Sequence, residues 1–524
     1  MSEITRRGFL SGMGTAAAVM GTSSVALASQ PKSSRSSAAK DFDETYDVVV
    51  IGDGFAGNTA ALFAAKAGAK VLILEKADEG ARGGNSRVCG QMMLYAHDYD
   101  ACVKYLTALQ GEMNHDDEYI SAYADGITNL KDILSEFGID NPVEWHALIE
   151  DNEETAKKTG IKMLAGIMAP EYPEFPGSDQ MDAMCAHEGV FDSYFYQTVA
   201  QTVDSLENVT VAFQTPAKHL IQDPETKAIV GVIAERDGAE VRYGATSGVV
   251  MACGGFECNK DMIENFIGCS YIGHVGGDYN TGDGIKMAQE VGADFWHLTS
   301  YEGGGLVGGL SWRVPEGDRA PFILGFGSVK KGAIFIVADD GTRYFNEVQT
   351  SRHGKINFHG IYRAPNTSIH PWMIFDQSQY DAFDQKGGIL PDDASIIVTG
   401  ETIEEIAEKT GIDPEKLADT YVRFNEYAQT GEDRDYGRAA ESMAPFEGTI
   451  YAIPLIHVML NTQGGARRNA KAQVLDPDGN PIPNLYSAGE FGGVASFYYN
   501  GGGNVAECLT FGKIAGTNAA GGDK

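Results

Sequence analysis

Residues 48–76 read VVVIGDGFAGNTAALFAAKAGAKVLILEK, and the order of residue types within them decides the fold. Residues 48–51 are a short β-branched run, with the length and composition of a strand buried on both faces. Gly52, Gly54 and Gly57 follow in G-x-G-x-x-G spacing. An alanine-rich segment that includes Ala56 then carries a helix to about Gly68, and a second strand, residues 71–74, ends at Glu75 and Lys76. The first glycine allows a tight turn, the second lets a pyrophosphate approach the backbone, and the third lets helix and strand pack closely. The open helix N-terminus offers N–H groups and partial positive charge to phosphates. Glu75 lies where an acid accepts hydrogen bonds from ribose hydroxyls, about 20 residues beyond the glycines. The expectation is an α/β, Rossmann-like dinucleotide-binding domain. Whether the dinucleotide is a nicotinamide or a flavin is not settled by this stretch.

The next loop bears on that choice. ARGGNSRVCGQ (81–91) brings Gly84, Asn85, Ser86 and Gly90 directly after the second strand. A nicotinamide domain has no need of a second glycine-rich loop so close to the first. An extended FAD molecule does, because its phosphates and its ring system need two clamps.

Five further segments extend the pattern: VVMACGGFECNKDM (249–262), YNTGDGIKMAQEVGA (279–293), RYFNE (343–347), FNEYAQTGEDRDYGR (424–438) and PIPNLYSAGEFGG (481–493). The last piece is GGGNVAECLTFGKIAG (501–516). Taken in order, these resemble the fumarate reductase / 3-ketosteroid dehydrogenase superfamily of FAD-dependent flavoproteins, over essentially everything from Tyr46 to Ala520. Within that group the chain resembles the exported flavin reductases of anaerobic bacteria. The resemblance implies a split FAD-binding domain, residues 45–255 and 441–524, with an α+β capping domain of residues 256–440 inserted between its halves. It also implies flavin contacts at Gly52, Gly54, Ala56, Gly57, Glu75, Lys76, Gly84, Asn85, Ser86 and Gly90. Ala217 would meet the adenine end and Asp283 the sugar and phosphate region. Gly489, Glu490, Asn504 and Val505 would hold the ribityl chain and the pyrimidine edge of the ring. Relatives that bind flavin covalently carry a histidine near the second loop; here that loop reads GGNSR, so non-covalent FAD is expected.

Composition narrows the partners. Forty basic against 73 acidic side chains give a formal charge of −33, which argues against nucleic acid and anionic membranes. With 524 residues, two or three packed units are expected. ITRRGFLSG (4–12), followed by a weakly apolar run and Ala26-Leu27-Ala28, resembles a twin-arginine export signal. Residues 1–28 would be that signal and 29–44 a solvated tether, placing the mature protein in the periplasm or on the outer face of the cytoplasmic membrane. The apolar run is too short and too rich in Gly and Ser for a transmembrane segment. Seven cysteines in irregular spacing imply neither a disulfide framework nor an iron–sulfur cluster, and no C-x-x-C-H is present for a c-type haem. No metal-ligand constellation is found.

For chemistry, the resemblance implies hydride transfer from flavin to a C=C conjugated with a carbonyl or carboxyl group, plus a proton from the protein. YFNEVQTSR (344–352) offers Arg352 as the acid, one residue later than in family fumarate reductases. Those relatives clamp a dicarboxylate with two histidines and an arginine. Here the corresponding segments are HLTSYEGGG (297–305), MLNTQGG (459–465) and YYNGGGN (498–504), and all three clamping residues are missing. Fumarate is therefore not the expected substrate. Tyr499 to Gly503 resembles instead the segment of ketosteroid dehydrogenases in which a Tyr hydroxyl and a Gly N–H polarise a ketone. Tyr499 and Gly503 are the candidates, with Tyr498 able to exchange roles with Tyr499 because neighbours in an extended segment face opposite ways. His457 reads as a core histidine. Arg467 and Arg468 either bind an acidic substrate tail or face solvent, and residues 172–176 either line a pocket for a planar substrate or form a rigid surface loop. The expected partners are a small unsaturated substrate and a separate electron carrier, a c-type cytochrome or a quinol-linked donor. A desaturase running the same chemistry backwards and a flavoprotein that only relays electrons are the alternatives.

Overall fold

The computed structural model describes residues 42–522 apart from 270–271, 305–307, 324–330, 350, 364–369 and 386–389. The export-signal segment, and the tether except for its last three residues, lie outside the described residues. Asp41–Lys524 forms one unit and holds every residue of the fold and site described below.

The opening stretch folds as strand β1 (Glu44–Ile51), helix α1 (Phe55–Lys66) and strand β2 (Val71–Leu74). Side chains on a strand alternate between faces, and here both faces are covered. Val48 and Val50 enter one apolar core, Val49 and Ile51 the other. That is why the run is continuously apolar rather than alternating.

β1 is the middle of a parallel run. On one side lie β2 and then β3 (Val209–Ala212); on the other lie β4 (Ala239–Met251) and then the strand Pro481–Ser487. The antiparallel hairpin Ala217–Gln222 and Ile229–Arg236 attaches to β4, and Gln473–Leu475 closes the far edge. The chain thus leaves β1 in both directions, and the carboxyl ends of the strands at such a switch point open a crevice. The C-terminal helix Gly503–Thr517 lies against α1. Its Gly516 and Gly512 make that approach possible: a Cβ on Gly516 would stand 2.1 Å from the Ala60 carbonyl oxygen, and one on Gly512 2.8 Å from Thr59 Cβ.

A second sheet is built around the strand Ile450–Thr462. Trp372–Asp376 and then Ile334–Val337 stack beside it antiparallel, while Gly273–His274 pairs parallel to its C-terminal half. Ile334, Ile336, Met373 and Phe375 fill one core; Phe335, Val337 and Ile374 fill another. The same strand runs on to Leu460 and Asn461, which reach the crevice of the first sheet.

Two of the sequence motifs lie beside this second sheet. RYFNE and the segment ending at Arg438 meet in a buried ion cluster. Arg343 bonds Glu347 at 2.7 Å and Asp433 at 3.0 Å, and Arg438 lies 3.5 Å from the same Glu347 carboxylate. Glu347 is fully buried and also accepts the Ile336 N–H at 3.2 Å. Removing its carboxylate leaves buried Arg438 without an acidic partner and Arg343 with Asp433 alone, so Glu347→Ala is expected to cost about 3–5 kcal/mol. Chemical or thermal unfolding of the variant measures this.

Candidate active site

The crevice at the strand ends is a cleft with about 1800 Å³ of empty space, counting its open mouth. It runs from Ala217, Glu75 and Lys76 at one end to His353 and Tyr499 at the other. Of the flavin contacts expected from sequence, Gly52, Gly54, Ala56, Glu75, Lys76, Gly84, Asn85, Ser86, Gly90, Ala217, Asp283, Gly489, Glu490, Asn504 and Val505 all line it. Gly57 does not. A Cβ there would stand 1.9 Å from the Gly52 carbonyl oxygen, so its part is the close packing of helix on strand. Gly52 is itself held at φ +105° with no room for a side chain, since a Cβ would lie 2.3 Å from the Ala252 carbonyl oxygen.

The end of the cleft formed by the two glycine loops is tied together by polar contacts. Ser86 Oγ accepts the Phe55 N–H at 2.9 Å, which fixes the second loop to the start of α1. Glu75 accepts the N–H groups of Ala77 at 2.7 Å and Asp53 at 3.1 Å, so its carboxylate is oriented before any ligand arrives. Lys76 and Asp283 pair at 2.7 Å across the cleft wall. Sequence reading passed over Asp53 and Arg82. Asp53 is fully buried, and Arg82 clamps it at 2.5 and 3.1 Å, locking the first glycine loop to the second. An acid between the first two glycines and an arginine at the start of the second loop were the available signal.

At the other end the N-terminus of the 15-residue helix Gly503–Thr517 brings Asn504 and Val505 to the cleft. A helix start favours an electron-rich edge. Asn85 donates to Glu490 at 3.1 Å and to Glu257 at 2.8 Å, and Asn280 donates to Glu257 at 2.6 Å. Burial, and the Glu257 carboxylate beside it, push the Glu490 carboxyl up to about 8. Gly489 packs where a Cβ would meet Ala56 Cβ at 2.9 Å. Arg468 buttresses this turn from below: it donates to the Gly489 and Phe491 carbonyls at 3.1–3.3 Å, to Tyr119 Oη at 3.0 Å, and pairs with Glu507. It neither faces solvent nor reaches the cleft; Arg467 is the exposed one, paired with Asp294. Glycines that admit no side chain, an oriented acid, a helix N-terminus and a second polar clamp suit an extended dinucleotide such as FAD.

The end of the cleft expected to take substrate is arranged differently from expectation. Tyr499 lines the cleft, whereas Tyr498 turns away into an aromatic cluster with Tyr172 and Phe175 at 5.1 and 5.7 Å. Tyr499 Oη accepts the Asn504 N–H at 3.3 Å, leaving its own proton to donate, and burial pushes the hydroxyl well above the usual tyrosine value. Gly503 lies outside the lining, with its N–H committed to the Asn500 carbonyl at 3.0 Å; Gly501 and Gly502 line the cleft instead. Arg352 is also outside. Its guanidinium makes two bonds to Glu174, at 2.5 and 3.1 Å, and packs against the rings of Tyr172 and Tyr362, 4.4 and 4.2 Å from their centres. The next residue, His353, is the one that enters the cleft. His457 is buried, accepts no charge and bonds the Gly308 carbonyl; burial holds it down to about 4. Arg352→Ala is therefore expected to keep kcat within about tenfold of the parent, while lowering thermal stability through lost packing.

Three of the seven cysteines, Cys89, Cys253 and Cys508, line the cleft. Burial pushes the Cys89 thiol up to about 11, so at neutral pH it is a packing group rather than a nucleophile. His97, Glu144 and Asp182 come together at the surface, a cluster sequence reading did not find, but Lys131 already pairs with Glu144 and His146 with Asp182.

Residues 47–505 match the family model described as FAD binding domain, and the chain belongs to that family. It is an FAD-dependent oxidoreductase of the fumarate reductase-like kind. Among curated relatives, the digoxin reductase of Eggerthella lenta is 27% identical over 519 residues, covering 92% of this chain and 88% of the relative. A fumarate reductase (cytochrome) of Shewanella frigidimarina is 26% identical over 511 residues, covering 95% and 81%. Among solved structures, the 3-ketosteroid Δ1-dehydrogenase of Sterolibacterium denitrificans, in complex with 1,4-androstadiene-3,17-dione, superposes with a TM-score of 0.67 at 20% identity, covering 92% of this chain and all of that one. That likeness establishes a shared fold. No helix among the described residues is long and apolar enough to cross a membrane.

Proposed function

We propose that this protein reduces a C=C bond conjugated to a carbonyl or carboxyl group, on a substrate less charged than fumarate. The observation that carries this is the make-up of the cleft beyond the flavin contacts. Met92, Leu164, Met168, Phe191 and Phe322 form an apolar wall, with Tyr499 as a hydroxyl donor. Among the described residues lining the cleft, the lysine and arginine side chains are Lys76, paired with Asp283, and Arg319 at the exposed rim, donating to the Val275 carbonyl. Two substrate carboxylates would find no buried guanidinium to pair with, at a cost of several kcal/mol.

The two glycine loops and the start of the C-terminal helix would hold FAD non-covalently, and the bound flavin would supply hydride chemistry at this cleft. Tyr499 binds the activating carbonyl oxygen and stabilises the negative charge that develops there. The apolar wall orients the substrate and excludes water from the reacting carbons. Residues 256–440 are the cap over this cleft, and residues 45–255 and 441–524 the FAD-binding domain. The first sheet, which joins β1 to β4 with Gln473–Leu475 and Pro481–Ser487, supports uniting the two FAD-binding parts; Ile450–Thr462, the central strand of the second sheet, is where the second part runs into the cap.

Electrons come from a separate carrier, a c-type cytochrome or a quinol-linked donor, met outside the cytoplasm after twin-arginine export. The double arginine of residues 4–12, the absence of C-x-x-C-H and the net charge of −33, suited to a basic partner, support this. A panel of enones and enoates with dithionite-reduced viologen, assayed anaerobically, is expected to show turnover with uncharged or monocarboxylate alkenes and little with fumarate. Fumarate as the best substrate would contradict it. Faster dye reduction by the saturated compounds would favour the dehydrogenase direction.

A further inference from the structure

We infer that His353, oriented by Glu171, is the residue that delivers the proton to the substrate carbon; this rests on the reductase function proposed above. His353 lines the cleft beside Tyr499, ring edge to ring face, with centres 4.7 Å apart. Its Nδ1 lies 2.7 and 2.9 Å from the two oxygens of Glu171, which is itself buried. Glu171 is fixed in turn, since its Oε2 accepts the Gly501 N–H at 2.9 Å and its own N–H donates to Asn500 at 2.9 Å. One oriented carboxylate therefore sets the ring and the glycine loop together. With Nδ1 engaged, Nε2 is the ring nitrogen left for substrate, and it has no hydrogen-bond partner among the described residues.

The backbone is built to hold this placement. Arg352 and Lys355 exchange N–H···O=C bonds of 2.9 Å, which closes a tight turn around His353 and Gly354. His353 sits at φ +44°, a region that side chains other than glycine seldom adopt. Its carbonyl accepts the Gly303 N–H at 3.0 Å, and Gly354 lies against Gly303 where a Cβ would meet backbone at 2.9 Å. Strain retained in a cleft, and over-determined by its surroundings, is a mark of a working position.

The charges facing the ring are Glu171 from the loop before Tyr172, Glu302 from Tyr301–Gly303, and Lys355 from its own turn; Tyr499 faces it as a neutral hydroxyl. Lys355 pairs with Glu302 at 2.6 Å, and the other Glu302 oxygen is buried without a hydrogen-bond partner among the described residues. Burial disfavours a charged ring, but Glu171, followed by Glu302, outweighs it and holds His353 above the ordinary histidine value. The shift favours the protonated ring, and an imidazolium is a better matched acid than a guanidinium.

The step balances. As the far alkene carbon takes up the hydride, the π electrons of the C=C pass to the carbon next to the carbonyl. That carbon forms a C–H bond with the Nε2 proton, the Nε2–H bond breaks, and neutral imidazole remains bonded to Glu171. Water at the cleft mouth returns the proton before the next turnover. Glu171 is a positioning residue; His353 touches substrate.

The test compares the parent with His353→Gln and Glu171→Gln, each purified with its flavin. Reduced protein is mixed anaerobically with the best enone or enoate of the panel, and separately with ferricyanide, which needs no proton. His353→Gln is expected to keep its flavin and its ferricyanide rate but to lose about 10²–10⁴-fold in reoxidation by the alkene. Glu171→Gln is expected to lower kcat more than it raises KM, to move the alkaline fall in rate to lower pH, and to lower the His353 titration midpoint seen by NMR of labelled histidine. The sign follows from linkage: a lost carboxylate partner makes the protonated ring less favourable, so the acid form is exhausted at lower pH. An alkene rate in His353→Gln within about threefold of the parent, or a histidine titration indifferent to Glu171→Gln, would overturn the inference. A parent protein that reoxidises with ferricyanide but with no alkene would instead sink the reductase function on which it rests.

Discussion

Gly57→Ala is expected to yield a chain without bound flavin. The added methyl would stand 1.9 Å from the Gly52 carbonyl oxygen and 3.0 Å from its carbonyl carbon, both backbone atoms of the phosphate-binding turn. Neither can move without shifting Gly52, which is already wedged against Ala252. Forcing a methyl into packed backbone costs about 3 kcal/mol or more, and every 1.4 kcal/mol is about tenfold in affinity. Flavin retention should therefore weaken at least about 100-fold, read as flavin released per protein after denaturation. Gly166→Ala is the matching control, because nothing lies within 4 Å of a Cβ at that helix position. Full flavin content in Gly57→Ala would mean the turn is not the phosphate site.

Tyr499→Phe is expected to lower kcat by about 10²–10³-fold, as the loss of one oxyanion donor does elsewhere. Flavin content should stay unchanged, because the ring and its packing remain and only the hydroxyl is lost. Because Tyr499 Oη accepts from the Asn504 N–H and stays protonated, its remaining capacity is a single donated bond. Loss of that bond acts on charge that grows in the transition state, so kcat falls more than KM rises. Parent-like kcat in the variant would remove Tyr499 from the chemistry.

The first sheet was legible because its signals are local. The β-branched run, three glycines at fixed spacing and an acid after the next strand all fall within residues 48–76, and the strand–turn–helix geometry turns them into a binding edge without help from distant chain. The ring-end contacts could be placed only through family resemblance, since Asn85 and Glu490 meet across 405 positions. Sequence alone did not show which of two neighbours, Arg352 or His353, enters the cleft, and the reason is physical. Alternation along a strand says which neighbours share a face, but Arg352 and His353 sit in a tight turn at positive φ, where no such rule applies. Arg352 looked catalytic by its distance from RYFNE, yet its charge is answered by Glu174, which no spacing discloses. Glu171 lies 182 positions before His353, and nothing in its local sequence marks it as the partner of a histidine. Arg468 was ambiguous for the same reason: its charge is met by Glu507, 39 positions later, within the packed core.

The most direct test of the whole account follows flavin absorbance after a single anaerobic reduction. The purified protein is reduced with just enough dithionite to bleach its flavin, then mixed rapidly with an enone or monocarboxylate enoate in excess. The expected result is prompt return of the oxidised flavin spectrum with one saturated product formed per flavin, and slow or no return with fumarate. Flavin that stays bleached with every conjugated alkene, yet reoxidises at once with ferricyanide, would contradict the account.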